Sequence, residues 1–162
     1  PDSQIAPSLL LANGQAGPIK IGLGLAGIRS AYPEAKISPD EIYIGDRRYQ
    51  ILNIYPDPRD TTPALSITLS PSRSVLSIDV YSSTFRTTKN IGVGSTLGEL
   101  RQSHTLKAIR YMDGSFLATA SDTNVLFELG VSVESLPTEW LQGNPENTLP
   151  NNLKISRIIV QQ

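Results

Sequence analysis

Apolar and polar residues alternate along most of this chain, in short runs separated by turn-forming residues. The clearest run is Ser74–Ser82, where Leu76, Ile78 and Val80 fall on one face and Val75 falls on the other. A period of two residues is typical of a strand with one buried face. The pattern therefore predicts that Leu76, Ile78 and Val80 point into the core.

Similar runs predict the other strands of the fold. They lie at Glu41–Gly45, Arg48–Tyr55, Ala64–Ser70, Lys107–Met112, Phe116–Ala120, Asn124–Leu129 and Leu153–Val160. Asp46-Arg47 predicts a hairpin turn after Gly45, and Asp113-Gly114 predicts a second one. Three prolines within residues 56–63 predict a loop, since proline has no N–H to donate to a sheet. Residues 130–152 are also loop-like.

Two segments change from strand spacing to helix spacing after a glycine. In residues 19–32, alternating apolar positions precede Gly22, and Leu25 and Ile28 then recur three positions apart until Pro33. Proline cannot continue a helix, so this helix is predicted to have only about two turns.

Residues 91–104 align with residues 19–32 without gaps. The matched pairs are Ile19 with Ile91, Ile21 with Val93, Gly22 with Gly94, Leu25 with Leu97, Ile28 with Leu100, and Arg29 with Arg101. In the second copy, Thr96 and Glu99 have the spacing of a capping box, which pairs free N–H groups at a helix start. Two interpretations stay open: an internal duplication, or one turn solution used twice.

The predicted fold class is α+β, mainly an antiparallel meandering sheet with two short helices, each following a glycine turn. Residues 1–18 contain three prolines and two glycines, and they predict an extended N-terminal tail. Residues 19–162 predict a single α+β domain, which agrees with a length of 162 residues.

Composition narrows the classes of function. The formal net charge is −1, which disfavours nucleic acid and anionic lipid as partners because both need a concentrated positive field. The chain has no Cys, so disulfides, thiolate zinc sites and cysteine nucleophiles are excluded. It also lacks an apolar run of the roughly 18 residues that a membrane helix needs. We predict no metal, no cofactor and no membrane span in this fragment.

One motif resembles a nucleotide site. Gly22–Gly27 matches G-x-G-x-x-G, whose glycines let a pyrophosphate approach a helix N-terminus in dinucleotide-binding folds. Pro33 ends the helix too early for such a fold. The aligned copy has Thr96 and Glu99 where the motif has its second and third glycines. We therefore interpret Gly22 and its counterpart as structural turn residues.

No set of residues converges on catalysis, and we predict no catalytic residue. His104 is the only histidine, and its place at a predicted helix end favours capping or packing over a triad or metal site. Asp79 has no identifiable acid partner. The candidate binding residues are Asp57 and Arg59 in the proline loop, and Trp140, the only tryptophan. The competing interpretations are a solvated turn and a tryptophan folded over the core.

Three segments of the second half resemble a known family. Ser74–Val80 looks like its strand "ISRIDV", Ile91–Leu100 looks like its turn and helix "VKIGTPFSDL", and Leu153–Ile159 looks like its final strand "WKVSKII". The chain thereby resembles the YfeY-like family of small bacterial envelope lipoproteins of unknown function. The resemblance implies export and a lipid anchor upstream of Pro1, and it brings no catalytic residues. The cysteines of that family have no counterpart here.

These observations lead to one expected function and two competing ones. We expect an extracytoplasmic, non-enzymatic domain, periplasmic or anchored in the envelope, that binds a protein or another envelope component. The first competing function is that of a small-ligand-binding or hydrolytic domain with a cleft near the Gly22–Gly27 turn. The second is that of a structural spacer module. Because the chain begins with Pro1, we also expect a leader to be encoded upstream.

Overall fold

The computed structural model describes residues 5–112, 115–130 and 149–161. Within them lie helices α1 Leu25–Ala31 and α2 Leu97–Ser103, and a 3-10 turn at Pro7–Leu9. The strands are β1 Leu10–Ala12, β2 Gln15–Ala16, β3 Ile19–Lys20, β4 Lys36–Ile44, β5 Arg47–Tyr55, β6 Leu65–Leu69, β7 Val75–Val80, β8 Arg86–Thr87, β9 Leu106–Met112, β10 Ser115–Ala120, β11 Thr123–Leu129 and β12 Ile155–Gln161.

Eight strands form one sheet in the order β4-β5-β6-β7-β12-β11-β10-β9, and every neighbouring pair is antiparallel. The cross-strand register aligns buried side chains in a row across seven strands. This row is Ile54, Leu65, Val80, Ile158, Phe127, Ala118 and Ile109. The predicted α+β class with a mainly antiparallel sheet and two helices is confirmed.

A second, smaller sheet has the order β3-β2-β1-β8, with β1 and β8 parallel. It begins inside the segment predicted as an extended tail, and it buries Leu11 and Ala16. The described part of residues 1–18 therefore differs from the predicted tail. The local pattern could not reveal this, because β8 lies far along the chain and pairs with β1 only in the folded molecule.

One hydrophobic core joins both sheets and both helices. Ile28 of α1 and Leu100 of α2 are fully buried in the same cluster as Phe116 and Phe127 of the large sheet. Burying a side chain of this size contributes about 1.5–3 kcal/mol. Each helix has only seven residues, so packing against this core holds it in place more than helix propensity does.

The prediction for the faces of β7 is wrong at its first two residues. Val75 is buried, whereas 42% of Leu76 is exposed. The cause is a β-bulge: Thr68 pairs with Ser77, but the next residue, Leu69, pairs with Val75. The extra residue, Leu76, has no partner on β6 and is directed to solvent, because a bulge reverses the alternation on one strand only. Later positions on β7 follow the predicted alternation.

The first long hairpin is longer than predicted, and its turn is shifted by one residue. β4 begins at Lys36 rather than at Glu41. Ile44 pairs with Arg47, so the two-residue loop is Gly45-Asp46. Gly45 has φ 66°, a left-handed conformation that two-residue hairpin loops require and that glycine adopts without strain.

The secondary structure of the residues that precede the two glycine turns differs. The predicted strand before Gly22 is present as β3, but the strand predicted at the start of the second copy is absent from residues 91–93. The carbonyl of Ile91 instead accepts from the N–H of Thr87 at 2.8 Å, which closes a tight turn next to β8. The hairpin turn predicted at Asp113-Gly114 and most of the predicted loop 130–152 lie outside the described residues.

Candidate functional site

The hairpin of β4 and β5 extends beyond the rest of the large sheet. β5 pairs with β4 from Arg47 to Tyr55, but it pairs with β6 only from Ile51 to Ile54. Residues 40–50 therefore form a two-stranded projection, here called the arm, in which all side chains but one are exposed. A two-stranded ribbon without a core beneath it is an unusual place for apolar residues.

The arm carries three consecutive exposed apolar residues. Ile42, Tyr43 and Ile44 are 41%, 67% and 56% exposed. Ile42 pairs with Tyr49, and residues two apart on a strand share a face, so four apolar side chains lie on the outer face of the arm and of its base at Ile51. We call this set the arm patch: Ile42, Ile44, Tyr49 and Ile51. Clustered exposed apolar residues in a polar surround are typical of protein-binding surfaces.

A groove of about 670 Å³ lies between the arm and the turn that joins β6 to β7. Arg48 and Gln50 form part of one wall, and Ser70, Pro71 and Arg73 form part of the other. The turn is held by bonds from the N–H of Ser70 to the carbonyl of Ser74 and from the N–H of Arg73 to the carbonyl of Ser70, both 2.8 Å. The second wall is thus fixed in the folded chain.

His104 joins the small sheet to the large one. It is the C-cap residue of α2, as its sequence position predicts, but its side chain bonds elsewhere. Its Nε2 lies 3.0 Å from Thr87 Oγ1, and its Nδ1 lies 3.1 Å from Asp122 Oδ1. Lys89 Nζ reaches the other oxygen of Asp122 at 2.6 Å. The ring also packs on Phe127, with centroids 5.7 Å apart.

Electrostatics fix the direction of these hydrogen bonds. Burial raises the pKa of Asp122, but hydrogen bonds from Lys89 and His104 outweigh burial and lower that pKa to about 2. The ionised carboxylate can only accept, so Nδ1 carries a proton, and in the neutral imidazole Nε2 accepts from the hydroxyl of Thr87. This is the order of groups in a hydroxyl–imidazole–carboxylate triad.

The surroundings of this triad favour a structural role. Thr87 and His104 are 3% and 5% exposed, and Thr87 Oγ1 also accepts from the N–H of Ile91 at 3.3 Å. The hydroxyl oxygen is thus bonded on both sides. A cavity of about 190 Å³ borders the triad and extends to Leu11 and Asn13. Packing, one of the two roles that sequence position favoured, agrees with this geometry.

Asp79 has an acid neighbour that sequence reasoning missed. Arg157 bonds to Asp79 Oδ2 at 3.4 Å and to Glu128 Oε2 at 2.5 Å. Burial raises the pKa of Asp79 against the lowering effect of Arg157. The two carboxylates flank one guanidinium, so they form an ion-pair cluster rather than an acid and base facing a substrate. Strand order brings them together, and no local pattern could.

The candidate residues of the proline loop bond to each other. Arg59 donates to both carboxylate oxygens of Asp57, at 3.1 and 2.9 Å. The Arg59 side chain and then its backbone N–H lower the pKa of Asp57. Arg59 is exposed and Asp57 is half-buried, and the pair has the geometry of a solvated turn. Trp140, the third candidate, lies outside the described residues.

The glycine turns use their polar groups within the fold. The N–H of Gly22 donates to the carbonyl of Val75, and that of Gly94 donates to the carbonyl of Ile155, both at 2.8 Å. These glycines have φ 92° and 95°. The G-x-G-x-x-G segment thus opens a seven-residue helix with its first amide already paired. The capping box of Thr96 and Glu99 is present at the start of α2.

The described residues contain no group of three or more His, Cys, Asp or Glu side chains that could hold a metal ion. In the same part of the chain, no helix is long and apolar enough to cross a membrane.

Comparison with known proteins shows that this fold is similar to that of a solved structure. No family model matches the chain, and no curated protein matches it. The crystal structure of the uncharacterised protein YfeY from Escherichia coli is similar, with a TM-score of 0.70. The chain shares the fold of YfeY. The alignment covers 96% of this chain and 99% of YfeY at 16% sequence identity. This likeness supports the resemblance to a YfeY-like family at the level of fold, whereas the lipoprotein character stays a prediction.

Sequence reasoning did not single out the arm. A signal was present, because Ile42, Tyr43 and Ile44 are consecutive apolar residues beside the hairpin glycine Gly45. A strand with one buried face should alternate apolar and polar residues, and this one does not. An unbroken apolar triplet at a hairpin tip indicates that both faces carry apolar side chains without a core to receive them.

Proposed function

We propose that this chain is a non-enzymatic domain that binds a partner protein through the arm patch, and that it works outside the cytoplasm. The observation that carries the binding part is the exposure of Ile42 and Ile44, two members of the patch, on a hairpin that projects from the sheet. The extracytoplasmic part, and a lipid anchor upstream of Pro1, rest on the sequence resemblance to envelope lipoproteins.

The energetic argument is that exposure of these side chains stabilises nothing in the isolated domain. Fully burying one isoleucine contributes about 1.5–3 kcal/mol. The arm leaves Ile42 and Ile44 about half exposed, although polar residues would serve a solvated ribbon equally well. A partner that covers the patch would recover part of this free energy. Aromatic residues such as Tyr49 of the patch are also enriched at interaction hot spots.

Site-specific photo-crosslinking in the producing cell tests the proposal. A benzophenone amino acid at Tyr49, a member of the arm patch, should yield one reproducible crosslinked protein, identified by mass spectrometry. The matched control places the same group at Gln102, an exposed residue of α2 far along the chain. The double variant Ile42→Ser, Ile44→Ser should remove the product. Crosslinks that are equal at both positions, or that survive the double variant, would contradict the proposal.

The non-enzymatic part has its own test at the triad. If Thr87 were a nucleophile activated by His104, a fluorophosphonate probe would label it, and His104→Gln would abolish the labelling. We expect no labelling, because the hydroxyl is buried and bonded on both sides. Labelling at Thr87 would favour a hydrolytic function, at a different place from the Gly22–Gly27 turn.

The two competing functions, a ligand cleft and a spacer module, would each require different structural features. A ligand cleft at Gly22–Gly27 would need free amides, but the first amide of that turn is bonded to Val75. Leu23 packs close to Gly27, where an added Cβ would lie 2.4 Å from a Leu23 methyl carbon. A spacer module would need no exposed apolar arm.

A leader or lipid-modified cysteine encoded upstream of Pro1 would support export, and a cytosolic start there would refute it.

We also propose that the fold is an internal duplication. Each half runs from a glycine turn to a short helix and then to four strands, β4–β7 after α1 and β9–β12 after α2. In each half the glycine turn bonds to the first residue of the fourth strand, Val75 or Ile155. The halves meet where β7 pairs with β12.

The register at this junction supports twofold symmetry. The central pairs are Ile78 with Val160, Asp79 with Ile159, and Val80 with Ile158. If β7 is superposed on β12 with Val75 on Ile155, Ile78 falls on Ile158 and Val80 falls on Val160. The pair of Ile78 with Val160 is then equivalent to the pair of Ile158 with Val80, and the pair of Asp79 with Ile159 is equivalent to itself. A twofold axis between the halves requires this relation, and a shift by one residue in either strand would break it.

A further inference from the structure

The arm patch has a charged residue at each end, and the two charges have opposite sign. At the tip of the arm, Ile44 of the patch pairs with Arg47. At the base, Ile51 of the patch pairs with Asp40. Residues directly opposite each other in an antiparallel ladder share a face of the sheet, so both charged side chains lie on the outer face beside the patch.

The two charges lie at equal distances from the centre of the patch, which is the pair of Ile42 with Tyr49. Arg47 is two residues from Tyr49 towards the tip, and Asp40 is two residues from Ile42 towards the base. Each charge is therefore about 7 Å along the arm from the central pair, and the two are about 14 Å apart. No ion pair joins either of them to another side chain of the described residues.

We infer that the partner at the arm patch is a second copy of this chain, and that the two arms pack face to face in opposite directions. The inference rests on the proposed protein-binding function and names the partner. A twofold axis that crosses the arms at the central pair places the tip of each arm over the base of the other. Closed homodimers are built from one self-complementary surface of this kind.

Charge complementarity favours the antiparallel direction. In this arrangement Arg47 of each copy lies at the same level as Asp40 of the other copy, and the symmetry makes two such contacts. Side chains from two packed sheet faces interdigitate, so the long arginine side chain can reach a carboxylate in the adjacent row. With the arms parallel, each charge would instead lie near the same charge of the other copy, and like charges across an interface are unfavourable.

The apolar side chains fit the same arrangement. Ile44 of each copy lies at the level of Ile51 of the other, and the two central pairs face each other, so every member of the patch is covered. Tyr43 lies on the opposite face of the arm and takes no part. A standard interface uses roughly 20–30 residues of each partner, far more than the outer face of the arm provides, so we expect a reversible dimer.

Sedimentation equilibrium tests the oligomeric state. We expect a monomer–dimer equilibrium that the double variant Ile42→Ser, Ile44→Ser abolishes. Arg47→Glu should raise the Kd of the dimer by at least about tenfold, because each contact then joins two acidic groups. Addition of Asp40→Lys to this variant should restore the dimer. Arg48→Glu is the matched control, since Arg48 is the next residue but lies on the opposite face, and it should change the Kd by less than about twofold.

Single cysteines test the direction of packing, because the chain has no Cys of its own. Tyr49→Cys should be linked to its counterpart in the dimer by the short crosslinker bismaleimidoethane, since the axis passes through the central pair. Tyr43→Cys, also exposed but on the opposite face, should not be linked. Equal linking at the two positions would overturn the inference, and so would a dimer that persists in the double serine variant.

The photo-crosslink at Tyr49 distinguishes failure of this inference from failure of the proposed function. A product that contains only peptides of this chain supports the dimer. A product with a different protein, from a domain that stays monomeric at every concentration, overturns the dimer and leaves the proposed function standing. A monomeric domain without any crosslink at Tyr49 contradicts both.

Discussion

At the scale of single residues, the direction of a side chain in this protein depends on strand irregularities, such as β-bulges, that the local sequence pattern does not show. Val75 and Leu76 are adjacent apolar residues, and alternation alone assigns the second one to the core. The bulge opposite Leu69 exchanges their roles. An extra residue in a strand costs little when it lies next to a turn, as Leu76 does, so apolar pattern and register can disagree there.

This exchange gives the first prediction. Val75→Ala should lower the free energy of unfolding by about 2 kcal/mol, because it removes buried methyl groups and leaves a cavity. Leu76→Ala should change it by less than about 0.5 kcal/mol, because much of the side chain is in solvent. Urea denaturation of the two variants measures both values. The opposite ranking would show that β7 lacks the bulge.

A second prediction concerns acid stability at Asp122. Its lowered pKa means that its ion pairs stabilise the fold fully above the ordinary pKa of 3.8 and that this contribution is lost as the pH falls towards 2. Asp122→Asn should cost about 1–2 kcal/mol at pH 7, an amount reduced by the partial exposure of the carboxylate. The difference from the unchanged protein should shrink between about pH 4 and pH 2.

The measurement is the free energy of unfolding as a function of pH for both proteins. Asp46→Asn, in the exposed hairpin turn, provides the matched control and should follow the unchanged protein at every pH. A difference at Asp122 that stays constant down to pH 2 would show that the carboxylate is not held by Lys89 and His104.

At the scale of elements, the two helices have the same length and nearly the same entry, but they are capped differently. Thr96 has φ −88° and ψ 160°, and its hydroxyl accepts from the N–H of Glu99. Gly24 has φ −85° and ψ 174° and offers no side chain. The backbone of Gly24 therefore has the conformation of an N-cap residue, but glycine has no side chain that could make the capping hydrogen bond.

The third prediction follows from this difference. Thr96→Ala should destabilise the fold by about 1 kcal/mol through loss of the cap. Gly24→Ser should stabilise it by about 0.5–1 kcal/mol, because the new Cβ meets nothing within 4 Å and the unfolded chain loses freedom. Thermal unfolding monitored by circular dichroism distinguishes the signs. A destabilising Gly24→Ser would mean that the α1 entry cannot present a hydroxyl to its first turn.

At the scale of the whole molecule, the proposed duplication predicts that equivalent positions respond equally. Gly22→Ala and Gly94→Ala should each cost about 1–2 kcal/mol, since both glycines have positive φ and an added Cβ would meet nothing within 4 Å at either. Backbone strain is then the whole effect. The double variant should cost the sum, because the turns lie in separate halves.

Unfolding free energies of the three variants provide the measurement. Costs that differ by more than about 1 kcal/mol between the single variants would show that the two turns are held differently and would weaken the proposed duplication. Gly45→Ala is a useful comparison, because Gly45 also has positive φ but lies at the tip of the arm, outside both glycine turns.

The sequence by itself determined the local elements. Alternation predicted most strands to within a few residues, the glycine turns indicated where the helices begin, and S/T-x-x-E spacing predicted the α2 cap. These features depend on interactions between residues close in sequence, which a linear pattern can show. The α+β class and the antiparallel sheet follow from them, because short meanders leave few other arrangements.

Only the tertiary structure decided which residues meet across the molecule. The pairing of β1 with β8, the triad at His104, and the two carboxylates on Arg157 each join residues far apart in sequence. The arm became a candidate site only when β6 was seen to leave β5 at Ile51. Whether a strand edge is paired depends on where its neighbour ends, and that is settled by the packing of the whole sheet rather than by the residues of the strand itself.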